Sequence, residues 1–278
     1  MAVTATTPRR GFVDSPDGSI EYCEWGSGDP LILLHFTPGS CMSFEDVAPL
    51  LAEDFRLIAM STMGYGRSAR PNPPYTSVHQ FAQAVVWLMD ALELPNASVF
   101  GVLTGSEIAV EVAAGWPERV EKLVLQEVFN WKTDARRAVH ERIHRYIPAR
   151  SDGSHLVELW KKYGGDRPGR DLEEASRRFL DYLAVNGPEP TYGEMGWEGA
   201  GPYVMTRYEM WENTPRIQAP TLVIHGTTSE LGRSHPKFLA TIPNARGARI
   251  PSDGNLGLGQ SSELWASELR TFLTASND

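Results

Sequence analysis

Acid–base chemistry needs carboxylates or imidazoles held away from water, and the chain offers few of them in such places. Glu127 follows directly on an apolar run that ends at Gln126. A carboxyl group under an apolar cover holds its proton because burial disfavours the charged form, as general acid catalysis requires. Asp253 stands in the run Pro251-Ser252-Asp253-Gly254, where forming a turn is the plainer use of an aspartate. Of the seven histidines, His35 closes the apolar run 31–35 and His225 closes the run 221–225. His140 and His144 have the i, i+4 spacing of metal ligands on one helix face, but the pattern supplies no third ligand. His79, His155 and His235 lie in polar contexts. Thr104 precedes Glu107 by three residues, and Thr-x-x-Glu opening a helix is the reciprocal capping pattern, which assigns both side chains to the backbone. Cys23 and Cys41, the two cysteines, are too few for a disulfide framework and lack metal-ligand spacing; Cys41 reads as a small buried apolar residue.

The elements that must position these groups alternate. Residues 20–24 have strand alternation, while 31–35 and 57–60 are continuous apolar runs of the kind buried on both faces of a sheet. Residues 98–101, 122–126, 221–225 and 248–250 also read as strands; 78–92, 106–114 and 263–273 read as helices. Strands alternating with helices predict an α/β fold with a mostly parallel sheet. The alternation breaks once. Residues 131–217 contain no strand run, only helical segments at 131–147, 155–163, 172–185 and 203–211. The expected organisation is a core of residues 1–130 and 218–278 interrupted by a helical cap, 131–217.

The chain has 278 residues, a formal charge of −9 and 41% hydrophobic residues, a globular balance. Acidic excess argues against a nucleic-acid partner, which would need basic patches to displace counterions. The helical stretch 131–217 is electrically balanced, with fourteen basic and fourteen acidic residues, so the core carries the whole negative charge. The same stretch holds eleven of the 27 aromatics. No apolar run is long enough for a membrane span, and no apolar region follows the basic pair of MAVTATTPRR, so a cytoplasmic location is expected. No glycine loop of the phosphate-binding types occurs, and no nucleotide cofactor is implied.

Gly101-Val102-Leu103-Thr104-Gly105, between a strand and a helix, has the form of a nucleophile elbow, in which small flanking residues lift the central side chain above the sheet. Here the chain resembles the α/β-hydrolase fold superfamily. His35-Phe36-Thr37-Pro38-Gly39 is similar to its oxyanion loop and Gly64-Tyr65-Gly66-Arg67-Ser68 to its next strand turn. Pro117-Glu118-Arg119-Val120, Ala219–Gly226 and Ile250–Gly254 follow in the superfamily's order. The resemblance implies an α/β-hydrolase fold with an inserted helical cap. It also exposes three departures. Leu103 stands where the superfamily places its nucleophile, Ser229 where it places the acid, and Asn255 where it places histidine. Leucine cannot attack, and an amide cannot take and return a proton near neutral pH. Phe36 replaces a glycine of the oxyanion loop. The resemblance further implies oxyanion donors at the amides of Thr37 and Thr104, each typically worth ~3–4 kcal/mol. It makes Glu127 similar to the alternative acid of haloalkane dehalogenases.

The site expected from these residues comprises Glu127, Asp253, Asn255 and His35 for catalysis, with Phe36, Thr37, Leu103, Thr104 and Trp131 against the substrate. With a leucine floor and an aromatic cap, the expected ligand is a bulky apolar or aromatic small molecule. The expected function is a cofactor-independent, non-hydrolytic enzyme performing cyclisation, carbon–carbon bond formation through epoxide opening, or lyase-type chemistry in secondary metabolism. Two alternatives remain at this stage: a catalytically dead ligand- or partner-binding module, and an epoxide hydrolase with relocated catalytic residues. A homodimer is left open; neither a membrane nor a metal ion is expected.

Overall fold

The computed structural model describes residues 7–130, 133–169, 171–252 and 258–276. Eight strands form one sheet: β1 Arg9–Ser15, β2 Gly18–Trp25, β3 Asp29–Leu34, β4 Phe55–Met60, β5 Ala97–Val102, β6 Val120–Gln126, β7 Thr221–Gly226 and β8 Ala245–Ile250. Their order is β1-β2-β4-β3-β5-β6-β7-β8. The β1–β2 and β2–β4 pairs are antiparallel and all others parallel. This is the mostly parallel sheet that the alternation predicts and the α/β-hydrolase architecture that the resemblance implies.

Successive side chains of a strand point to opposite faces, so a strand covered on both sides must be apolar throughout. Ile32 and Leu34 join one hydrophobic cluster, Leu31 and Leu33 the other; Ile58 and Met60 divide from Leu57 and Ala59 in the same way. Helices α1 Val78–Ala91 and α2 Thr104–Gly115 cover the first face. The second is covered by the short 3₁₀ turns Cys41–Phe44 and Ala48–Leu50 and by the terminal helix, Leu258–Thr274. A further helix, His235–Thr241, lies between β7 and β8.

Between β6 and β7 the described residues form α3 Asp134–Ile143, α4 Ser154–Lys162, α5 Leu172–Asn186, α6 Ala200–Met205 and α7 Met210–Asn213. The stretch expected as one helix at 203–211 is two, because the chain turns over residues 206–209. Helix α2 is sandwiched between the sheet and this helical stretch, so all ten residues 105–114 are buried, Glu107 and Glu111 included. Among the described residues no helix is long and apolar enough to cross a membrane.

Candidate active site

The turn from β5 into α2 keeps the geometry of an elbow although its central residue is leucine. Leu103 sits at φ 51°, ψ −116°, between the last strand residue and the first helical one. A non-glycine residue there costs of order ~1–3 kcal/mol and persists only where its surroundings impose it. Those surroundings are tight. A Cβ at Gly101 would lie 2.4 Å from the Gly105 carbonyl oxygen, and one at Gly105 would lie 2.1 Å from that of Leu34. The Leu103 amide donates to Gln126 O at 3.0 Å, and its side chain packs against both hydrophobic clusters.

Thr104 does not cap the helix. Leu103 is the N-cap residue and makes no side-chain capping bond; the Thr104 hydroxyl instead accepts the Thr37 amide proton at 2.7 Å. This hydroxyl thus engages the Thr37 amide, one of the two donors that the resemblance implies. The capping reading is thereby corrected: in isolation Thr-x-x-Glu closes on its own backbone, but here the loop after β3 arrives with a better donor. Released from that role, Glu107 is buried with neither carboxyl oxygen hydrogen-bonded among the described residues. Desolvation pushes its pKa well above the usual carboxylate range, which favours the protonated form.

Glu107, Thr104, Thr37 and His35 line one enclosed cavity, together with Thr62, Tyr65, Val78, Phe81 and Ile108 of the core and Gly201, Val204 and Met205 from α6. Its volume of about 10 Å³ leaves room for roughly one water. Gly201, Val204 and Met205 of α6 close the cavity from the side of the helical stretch and form its roof. That roof is latched to the core through Tyr65, whose hydroxyl donates to Glu198 O at 3.1 Å and accepts from the Gly201 amide at 3.0 Å. Glu198 is itself buried, and its carboxylate accepts from His144, Lys162 and Tyr163. Tyr65→Phe strands the Gly201 N–H and the Glu198 carbonyl, at about 1–3 kcal/mol for each buried group left unsatisfied. The expected result is a lower Tm and faster amide exchange at Gly201, read by calorimetry and hydrogen–deuterium exchange.

His35 is buried, donating from Nδ1 to Phe36 O at 2.8 Å and accepting the Thr62 amide proton at Nε2, 3.0 Å. Accepting at Nε2 makes the ring neutral, and burial lowers its pKa to about 4. Both nitrogens are committed to the backbone, and the ring braces the oxyanion loop against the turn after β4. Phe36, expected against substrate, packs instead into the cluster under the terminal helix.

Glu127 lies at φ 49°, buried at the end of β6. One carboxylate oxygen accepts from the Gly226 amide at 2.5 Å and the other from the Ser229 hydroxyl at 2.6 Å. Ser229 thus donates its hydroxyl proton to Glu127, and the two tie the ends of β6 and β7 together. His225 sits nearby, with Nε2 on Val128 O and Nδ1 on His235 Nδ1; burial lowers its pKa to about 4. Asp253, Asn255 and Trp131 lie outside the described residues.

The histidine pair His140 and His144 is stacked, with ring centroids 5.5 Å apart, and His144 belongs to the Glu198 network. Among the described residues no group of three His, Cys, Asp or Glu side chains is placed to hold a metal ion. The aromatics of the helical stretch pair among themselves or with the core: Trp160 with Phe179, Tyr192 with Trp197 and Tyr203, Trp211 with Phe238. Tyr208 donates to Glu111. The roof of the cavity is aliphatic, where an aromatic one was expected.

Comparison with known proteins follows this geometry. Residues 29–147 match the family model described as the alpha/beta hydrolase fold. A 2-hydroxy-6-oxo-6-(2'-aminophenyl)hexa-2,4-dienoic acid hydrolase of Metapseudomonas resinovorans is 25% identical over 96% of this chain and 91% of its own. A haloalkane dehalogenase of Mycobacterium marinum is 24% identical over 84% of this chain and 81% of its own. A hydrolase from Pseudomonas aeruginosa superposes with a TM-score of 0.78 at 23% identity, over 96% of this chain and 99% of that one. These relatives overturn the expectation of cyclase, carbon–carbon bond-forming or lyase chemistry, since they are named for hydrolysis or dehalogenation. The physical basis of that expectation also fails, because the cavity is small and α6 contributes only Gly201, Val204 and Met205 to it, where a wide pocket under an aromatic cap was anticipated. The matched segment, the sheet order and these neighbours together show that the chain has the α/β-hydrolase fold.

Proposed function

We propose that the chain is a hydrolase in which water attacks a small, neutral electrophile directly, an epoxide being the substrate class that fits best. The observation that carries this reading is the unpartnered carboxyl of Glu107, which lines the same cavity as Thr37 and Thr104. In this account the three usual triad positions are replaced by Leu103, Ser229 and Asn255, and no acyl-enzyme forms. Residues 131–217 act as a cap over the core.

The chemistry needs one proton to move out and one to return. Neutral Glu107 gives its proton to the epoxide oxygen as the C–O bond breaks. Water attacks the carbon left electron-poor, and the proton it sheds returns to the Glu107 carboxylate. Water has then been added across the bond, the product is a diol, and the enzyme is unchanged. The amides of Thr37 and Thr104 receive the oxygen while it carries charge. The Thr104 hydroxyl must first turn away from the Thr37 amide, which a bound oxygen replaces as acceptor.

Support also comes from the relatives, whose names are those of hydrolases and dehalogenases. The test is incubation with styrene oxide alongside a fluorophosphonate probe read by intact mass. Diol formation with no adduct is expected. Stoichiometric fluorophosphonate labelling, or recovery of unchanged epoxide after long incubation, contradicts the proposal.

A further inference from the structure

A second cavity, of about 260 Å³, lies on the other side of the oxyanion loop, between the core and helix α5. Its walls carry four arginines: Arg10 from β1, Arg67 from the turn after β4, and Arg177 and Arg178 from α5. Only two carboxylates, Glu45 and Asp181, face them there. Both are already engaged, Glu45 with Arg177 at 3.5 Å and Asp181 with the Ser40 hydroxyl at 2.5 Å. Arg10 pairs with Glu21 at 3.1 Å and Arg178 with Glu174 at 2.8 Å. The Arg67 guanidinium makes no hydrogen bond or ion pair among the described residues, although its backbone amide donates to Glu21. The lining thus carries four arginines against two carboxylates. Met42, Leu180 and Tyr182 supply an apolar wall beside it.

We infer that this cavity binds a small organic dianion, a phosphate monoester or dicarboxylate with a single-ring apolar part. Guanidinium forks match the oxygen geometry of carboxylate and phosphate and are weakly enough hydrated to exchange water for them. Arg67, whose guanidinium has Asp181 nearby but makes no hydrogen bond among the described residues, is the first anchor, and Arg178, held at the cavity wall, is the second. Because Arg10 and Arg67 belong to the core and Arg177 and Arg178 to α5, the anion is held from both sides. The stretch after Thr37 separates the two cavities, since Thr37 lines the first and Gly39 and Met42 the second. The dianion site is thus distinct from the Glu107 cavity, and its existence does not depend on the hydrolytic reading.

The experiment is calorimetric titration of the full chain with phenyl phosphate, with phenol as the uncharged control. Saturable one-to-one binding with Kd below about 1 mM is expected, with phenol failing to compete. Arg67→Met combined with Arg178→Met should weaken binding roughly tenfold or more. Glu107→Gln should leave it intact. Arg67→Met alone removes no hydrogen bond or ion pair among the described residues, and it should already weaken binding. No saturable heat up to about 10 mM overturns the inference. So does equal affinity for phenol, or affinity lost in Glu107→Gln but kept in the arginine variants.

Discussion

Glu107→Gln is expected to lower epoxide turnover by roughly a hundredfold or more, the usual range for removing a positioned acid–base group. The same substitution is expected to raise thermal stability at neutral and alkaline pH. The sign follows from the proton balance. In the unfolded chain this carboxyl ionises near pH 4.3, whereas the buried group keeps its proton to much higher pH. Above pH ~4.3 the folded state therefore binds the extra proton, and stability falls as pH rises toward the folded pKa. Glutamine has the same shape and never ionises, so the penalty disappears. Melting curves of the two proteins should coincide near pH 4 and separate as pH increases. A variant that loses activity and gains stability is the signature of a group kept at a cost to the fold. A merely structural Glu107 would change the melting curves and leave turnover where it was.

The second large effect concerns the other buried carboxylate. Glu127→Ala leaves the Gly226 amide and the Ser229 hydroxyl without their acceptor at the end of two central strands. Each stranded donor costs about 1–3 kcal/mol, so a loss of roughly 2–6 kcal/mol is expected by denaturant unfolding. Glu127→Gln behaves differently. Its carbonyl oxygen accepts from Gly226, and its amide donates to the Ser229 oxygen, so both contacts survive. That variant should fold normally and retain its turnover. A drop in its turnover comparable to that of Glu107→Gln would return the acid–base role to Glu127. Acid should weaken the fold as well. His35, His140 and His225 are held neutral with pKa values lowered to about 4, mainly by burial. Below about pH 6.5 the unfolded chain binds protons that these rings refuse, so stability falls as pH drops from there toward 4.

What the sequence revealed followed from how completely each segment is buried. Residues 31–34 and 57–60 are apolar without interruption because both faces of β3 and β4 are covered, and such runs are legible without a structure. Strand β1, Arg9–Ser15, escaped notice because it is an edge strand largely open to solvent, so its side chains carry no alternation. The sharp turn at Leu103 was also legible, since the flanking glycines mark it. Glu107 was not. Read locally, Thr104 and Glu107 form a capping pair, and only the approach of Thr37, 67 residues earlier, draws Thr104 away. The one available signal was a carboxylate in the first turn of a helix that is otherwise buried along 105–114. Cys23 and Cys41 make the same point. Eighteen residues apart and read separately, they face each other with Sγ atoms 3.0 Å apart, because the turn after the oxyanion loop folds back beneath β2.

The central claim is that the oxygen added to the product comes straight from water. Single-turnover hydrolysis of styrene oxide in ¹⁸O-labelled water, with enzyme in excess, tests it most directly. Direct attack predicts fully labelled diol from the first turnover and no label in the protein. Unlabelled diol in the first turnover, with ¹⁸O afterwards found in a carboxylate of the enzyme, would mean that a protein side chain attacks first and would contradict the account.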